Sequence, residues 1–308
     1  MKNIRFAEIL SAVGAVLLFL LCPAPECAKK VQDAPPKFII FSPQQQYISS
    51  ENSVKMDGKI TNAGDVRGIS INGERLIIEK GGYFRSALIL NPGKNLAVLS
   101  GFKNDGSVIN IFRKILRVVR YPDMDELYSG RPHWAKKIIT ELATAGIIEA
   151  FPDGRFMPDD LVTRGEFATW LCRAKGLSLE AVSYGAYRDV PDGHWRAPYI
   201  YAVTKKGYIG AGPADTFGID EPLSRVDAAY SITKAVGLLP SFDASQAATI
   251  EAYINELKSR TIEAAIQKGY FVGVSNRFRM YDFSRDMTRA EAANSISRIE
   301  EAKNRVNF

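Results

Sequence analysis

The chain is poor in the residues that reactive sites most often need. Three cysteines and two histidines stand in 308 residues. Cys22 and Cys27 fall in the N-terminal segment, which leaves Cys172 alone in "TWLCRAKGL". One cysteine forms no internal disulfide, and its apolar neighbours at helical spacing describe a buried core thiol rather than a nucleophile. His133 and His194 lie 61 residues apart, so no metal site is expected, and no cofactor is expected either. Residues 29–120 hold neither histidine nor cysteine, and their acids show no paired-carboxylate spacing, so an enzyme hidden there is not expected. Long apolar runs are scarce as well. Ile9 to Leu21 is about thirteen residues, too few for a comfortable membrane span. Lys2 and Arg5 precede it, and Pro23, Ala24, Pro25 and Ala28 follow, which is the plan of a secretory signal peptide over residues 1–28. An uncleaved anchor is the alternative. The expectation is an exported chain, in the cell wall, at the cell surface or in the periplasm, with no transmembrane segment after cleavage and no nucleic-acid partner.

Charge is unevenly placed. Residues 29–120 carry a net +8 and residues 121–308 a net −2. Much of the excess is one cluster, Arg113, Lys114, Arg117 and Arg120, which reads either as a contact for an anionic polymer or membrane or as a solvated strand edge. After a linker at 29–36, residues 37–120 are written in strand periods. "VKMDGKI", "RLIIE", "YFRSALIL" and "NLAVLSGF" alternate or run apolar between turn signals, of which Asn72-Gly73 is the tightest. About seven short strands suggest a β-sandwich. The stretch "INGERL…GGYFRSALILNPGKNLAVLSGFKNDGS" resembles the immunoglobulin-like modules of bacterial surface proteins. Tyr83 and Phe84 are candidates for exposed aromatics on a sheet face, which would favour a carbohydrate-binding or adhesive sandwich.

From Tyr121 the period becomes helical. Sliding the chain by 61 residues lays His133 on His194, Trp134 on Trp195, Gly146 on Gly207, Phe156 on Phe217 and Arg164 on Arg225. A looser third unit keeps Gly269, Phe278 and Arg289, with Glu256 and Leu257 where His and Trp would stand. The units are 121–180, 181–240 and 241–308. A helical unit that cannot bury its face alone packs on its siblings, so three copies argue for one composite domain.

Each unit writes Ser/Thr-Arg-x-acid at a helix start. Thr163 with Glu166, Ser224 with Asp227, and Thr288 with Glu291 fit a capping box, in which the hydroxyl and the carboxylate satisfy each other's backbone amides. The arginine between them is unexplained by capping. It places a cation at the positive end of the helix dipole, at a cost of a few tenths of a kcal/mol. An internal carboxylate could offset this, with the acid two residues on well placed; so could an external anion, since helix amides plus a guanidinium fork receive carboxylate or phosphate.

"HWAKKIITELATAGIIEAFPDGRFMPDDLVTRGEFATWLCRAKGL" is similar to the S-layer homology repeat nearly position by position. Unit two matches with Ser-Arg-Val-Asp, and unit three keeps "TRAE" but loses the His-Trp pair. The resemblance implies an all-α domain of three repeats around a central three-helix bundle with pseudo-threefold symmetry, following the all-β immunoglobulin-like sandwich. It implies non-covalent anchoring to a cell-wall polysaccharide or peptidoglycan-linked glycopolymer, often through a pyruvate ketal that carries a carboxylate. By that resemblance Arg164, Arg225 and Arg289 line the grooves, and Gly146, Gly207 and Gly269 let backbone approach the sugar. It also points to an aspartate before the first helix, matched by Asp189 and, in stretched form, by Asp123, with Asp243 a more distant counterpart in unit three. Trp134 and Trp195 either stack on sugar rings or open their helices as core residues. Ala214 and Gly218 alter the second loop, so three working grooves are not promised.

Overall fold

The computed structural model describes residues 34–128, 130–180, 187–210, 212–238, 249–271 and 282–307. The expected export segment lies outside the described residues, as do Asp243 and Phe278.

Strand periodicity becomes two sheets. The strands are β1 (Lys37–Ser42), β2 (Gln46–Ser49), β3 (Ser53–Thr61), β4 (Val66–Ile71), β5 (Glu74–Leu76), β6 (Tyr83–Ile89), β7 (Gly93–Lys103) and β8 (Val108–Arg117). One sheet has the order β1-β3-β6, the other β2-β8-β7-β4-β5. In β3 the alternation is complete: Val54, Met56, Gly58 and Ile60 face inward, Lys55, Asp57 and Lys59 do not. Two inward glycines make room for rings. A β-carbon on Gly58 would fall 2.6 Å from Phe84 Cζ, and one on Gly101 would fall 2.2 Å from Phe38 Cζ across the sandwich. Phe38 and Phe84 then meet edge to face, 6.4 Å between centroids. Asn72 and Gly73 both have positive φ (49° and 90°), as the tight β4–β5 hairpin requires.

Three details differ from the sequence reading. There are eight strands rather than about seven, because β2 pairs parallel with β8 from the aperiodic "QQQYISS". The basic cluster is not on a sheet edge, since β8 lies between β2 and β7. Arg113 Nε donates to the Pro43 carbonyl (3.0 Å) and Arg117 Nη1 to the Leu90 carbonyl (3.0 Å), so two of its four cations hold backbone. Last, Tyr83 is exposed but Phe84 is buried in the core, as neighbours on a pleated strand must be.

A second, separate core begins at Tyr121. The chain continues through α1 (Pro122–Asp125), a short hairpin β9 (Leu127–Tyr128) and β10 (Arg131–Pro132), then α2 (Lys136–Thr144), α3 (Arg164–Lys175), α4 (Ala197–Lys205), α5 (Arg225–Ala235), α6 (Ile250–Gln267), α7 (Arg289–Ser297) and α8 (Glu300–Val306). α4 packs on α3, α6 on α5 and α2 on α7. Just before α3, α5 and α7 the backbone closes a ring. Leu223 N donates to Val162 O, Met287 N to Leu223 O and Val162 N to Met287 O, each at 2.9 Å. One residue into each helix the pattern repeats: Arg164 N donates to Glu221 O, Arg225 N to Arg285 O and Arg289 N to Asp160 O. Amides that a helix start leaves unpaired are thus met by the next unit's loop, in threefold rotation. Cys172 is buried in α3, two turns beyond the helix start, and burial pushes its thiol up to about 11. Glu256 and Leu257 lie inside α6, which starts six residues earlier under a Thr249 cap (Ala252 N to Oγ1, 3.1 Å), so the third unit has no counterpart of the His-Trp start.

Candidate functional site

The arginines are the first residue of α3, α5 and α7. Thr163 and Thr288 accept from the Glu166 and Glu291 amides (both 3.2 Å), while Glu166 Oε2 and Glu291 Oε2 accept from the cap amides (3.0 and 3.1 Å). That leaves each Oε1 for another partner. Glu166 Oε1 takes Arg289 Nη1, and Glu291 Oε1 takes Arg225 Nη2, with Arg225 Nε on Oε2 at 3.1 Å. The acid two residues on is therefore not the local partner: each paired carboxylate belongs to another unit, 123 and 66 residues away in sequence.

By the same rotation Asp227 should take Arg164. It does not. Aspartate is one methylene shorter, and its carboxylate turns to Ser224 Oγ, which donates to Oδ2 at 2.8 Å and accepts from the Asp227 amide at 3.1 Å. Only half of the capping box forms there. Among the described residues no carboxylate lies within 4.0 Å of the Arg164 guanidinium. Arg164 is instead held by two carbonyls, Phe217 O to Nε (2.8 Å) and Gly210 O to Nη2 (2.9 Å), with the Phe217 ring 5.1 Å away. Arg289 makes the equivalent bonds to Phe156 O (2.7 Å) and Glu149 O (3.1 Å) but is 1% exposed. Arg225 is 8% exposed. Of the three arginines expected to line grooves, Arg225 and Arg289 are engaged by Glu291 and Glu166, and Arg164 is only partly buried.

The two aspartates hold the same loop in their units. Asp123 accepts from Phe156 N and Met157 N (2.7 Å to the latter), and Asp189 accepts from Phe217 N, Gly218 N and Ile219 N at 2.7, 2.6 and 3.1 Å. Desolvation alone would raise the Asp189 carboxyl, but the three amides outweigh it and hold it below the usual carboxylate range. Each aspartate thus fixes the carbonyl, Phe156 O or Phe217 O, on which an arginine rests. Asp123 is buried and has no free surface for a ligand.

The histidines close helix starts. His133 Nδ1 accepts from Ala135 N and His194 Nδ1 from Arg196 N, both at 3.2 Å. His133 Nε2 then faces Asp159 Oδ1 at 3.3 Å. The tryptophans that follow are not core residues: Trp134 is 48% and Trp195 49% exposed. Trp195 is flanked by groups that sequence reasoning missed. Arg196 lies 4.1 Å and Arg173 5.8 Å from its ring, and Tyr199 meets it edge on at 6.3 Å. Both arginines pair with Glu149, Arg196 at 2.8 Å. No repeat position marked this cluster, because 61 residues on from Glu149 stands Gly210 and 61 before Arg196 stands Ala135.

Gly146, Gly207 and Gly269 end α2, α4 and α6 with φ of 69°, 68° and 77°. A β-carbon on Gly146 or Gly207 would meet nothing within 4 Å, so left-handed backbone, not crowding, selects glycine there. Gly146→Ala is expected to lower the stability of the helical region by about 1–2 kcal/mol, read as a shift of the urea midpoint followed by far-UV circular dichroism.

Residues 130–168 and 186–229 match the S-layer homology domain family. The chain is 33% identical over 115 residues to Cell surface glycoprotein 1 of Acetivibrio thermocellus, covering 34% of this chain and 5% of that protein. It is 31% identical over 109 residues to the Cellulosome-anchoring protein of the same organism, covering 34% of this chain and 24% of that one. Against S-layer protein EA1 of Bacillus anthracis identity is 24% over 165 residues, covering 54% of this chain and 19% of the relative. The chain therefore spans a quarter or less of the length of these relatives, and enzymes are also among the matched proteins.

Proposed function

Because the chain carries S-layer homology domains, we propose that its helical region anchors it non-covalently at the cell surface by binding an anionic cell-wall polysaccharide. The observation that carries this reading is Arg164. Its two rotational counterparts are neutralised by buried glutamates, whereas Arg164 rests on two carbonyls, with the Glu221 carboxylate nearby, beside Gly218, and has no carboxylate within 4.0 Å among the described residues. A guanidinium so placed forms charge-assisted hydrogen bonds to a carboxylate such as that of a pyruvate ketal or a uronic acid. Trp195, with Tyr199 and the flanking arginines, offers a second contact suited to a sugar ring. Weak contacts of this kind add up along one polymer through effective concentration. Binding requires no chemistry at the site, and the reading is a non-enzymatic one. No helix among the described residues is long and apolar enough to cross a membrane.

The test is co-sedimentation of the full chain with sacculi that retain their attached glycopolymer and with sacculi stripped of it by acid. Wild type should pellet with the first and not the second. Arg164→Ala should weaken pelleting about tenfold, the worth of one charge-assisted bond, with its circular dichroism unchanged. Equal pelleting with stripped sacculi, or an unaffected Arg164→Ala, would sink the proposal.

A further inference from the structure

We infer that the outer face of the β1-β3-β6 sheet is a second binding surface, for an anionic polysaccharide, separate from the helical region. Four large side chains stand out of this narrow sheet into solvent: Ile39 (41% exposed), Phe41 (54%), Tyr83 (42%) and, at the far end of β6, Ile89 (80%). Their placement follows from the register. Ile39 pairs with Lys59 and Lys59 with Tyr83, so the three form one row across the sheet. A register shift between Ile40 and Ser42 turns the strand beside that row, as bulges do, and brings the Phe41 ring to 6.4 Å from that of Tyr83. Two exposed rings at that spacing, tilted by 38°, make a platform on which adjacent pyranose rings of one chain can lie.

The charges around the platform choose the sign of the ligand. Among the described residues Asp57 and Glu79 are both engaged near this face, Asp57 with Lys55 at 3.0 Å and Glu79 with Arg85 at 3.2 Å. Lys37 and Lys59, on the same face, have no carboxylate within 4.0 Å among the described residues. Lys59 Nζ lies 4.9 Å from the centre of the Tyr83 ring, within reach of an acidic substituent on a sugar bound beside it. Rings plus unopposed lysines fit a uronic-acid or ketal-bearing chain better than a neutral glycan. The opposite sheet differs. Tyr47, Ile48, Leu96, Val108 and Phe112 are exposed there, no two of those rings pair among the described residues, and nothing in the structure shows what covers them. This inference does not depend on the anchoring reading.

The experiment is affinity electrophoresis of the full chain in gels containing polygalacturonate, dextran or polyglutamate. Four variants are run: Phe41→Ala/Tyr83→Ala, Lys37→Gln/Lys59→Gln, Arg164→Ala, and Arg75→Gln/Lys114→Gln. The last changes charge equally on the other sheet. Polygalacturonate should retard wild type and dextran should not. The aromatic double variant should weaken retardation about five- to tenfold, the worth of losing two stacked rings. The Lys37/Lys59 variant should weaken it comparably and the Arg75/Lys114 variant should leave it unchanged. Equal retardation by polyglutamate, or equal loss in both lysine–arginine charge variants, would reduce the effect to net charge and overturn the inference. Retardation lost only in Arg164→Ala would place the glycan on the helical region and overturn it without touching the anchoring proposal. Phosphatidylglycerol vesicles floated in parallel supply one more check, since flotation dependent on Phe41 and Tyr83 without a polygalacturonate effect would assign the face to lipid. If the aromatic variant fails to fold, the two charge variants decide.

Discussion

Arg289→Met is expected to destabilise the helical region by about 3–5 kcal/mol, far more than the same change at Arg164, although both arginines occupy the same letter of the repeat. Arg289 is 1% exposed and its guanidinium lies 4.3, 4.6 and 5.0 Å from the rings of Phe151, Phe156 and Trp170. Burial pulls its pKa below the usual guanidinium value, and Glu166 works against that shift. Methionine would fill part of the volume but would leave the Glu166 carboxylate, 6% exposed, without its main partner. Arg196 Nη2, 3.9 Å from the same oxygen, offsets some of this, which favours the lower end of the range. Arg164 has no buried acid to strand, so its removal costs about 1 kcal/mol, the worth of an ordinary hydrogen bond. The measurement is urea unfolding of the full chain by far-UV circular dichroism, which reports the helices apart from the sandwich. Adding Glu166→Met to Arg289→Met should recover most of the loss, because a buried pair replaced whole by apolar side chains is far less costly than a pair broken. A midpoint for Arg289→Met equal to wild type would show that the inter-unit pairs do not clamp the ring.

The repeat itself was legible in the sequence because it is local and periodic. Spacings of 61 and 64 residues, the Thr163/Glu166 and Thr288/Glu291 boxes, and the change from strand to helical period at Tyr121 are all written within a few turns of chain. The partner of each arginine was not legible. Glu166 is two residues from Arg164 and 123 from Arg289, yet the ring geometry joins it to the distant one, and no spacing rule encodes a rotation between units. The tryptophans were ambiguous for a different reason. His133 and His194 fold back onto the amides at the helix starts and so set each following Trp at the surface, a cap that strand or helix periodicity does not announce. Phe84, by contrast, could have been excluded from the sequence alone, since Tyr83 and its neighbour on one strand cannot both point outward. Phe41 was missed because its approach to Tyr83 depends on a register shift rather than on pattern.

Asp227→Glu is expected to stabilise the chain and, under the anchoring proposal, to weaken its pelleting with sacculi at once. Glutamate at the other two positions uses Oε2 for the cap amide and Oε1 for the neighbouring arginine. The extra methylene at 227 would let the same side chain reach the Ser224 amide and Arg164 together, completing the third capping box and the third inter-unit pair. The gain is about 1 kcal/mol, a completed cap and a partly exposed ion pair combined. The same pair would neutralise the one arginine left open, so binding to glycopolymer-bearing sacculi should fall about tenfold, close to Arg164→Ala. The two variants thus agree in binding and differ in the sign of their effect on stability: Arg164→Ala lowers the urea midpoint, Asp227→Glu raises it. That opposition separates a lost ligand contact from a damaged fold. A more stable Asp227→Glu chain that still pellets like wild type would mean that Arg164 is not the anion receptor, and Trp195 with Arg173 and Arg196 would become the groove to test.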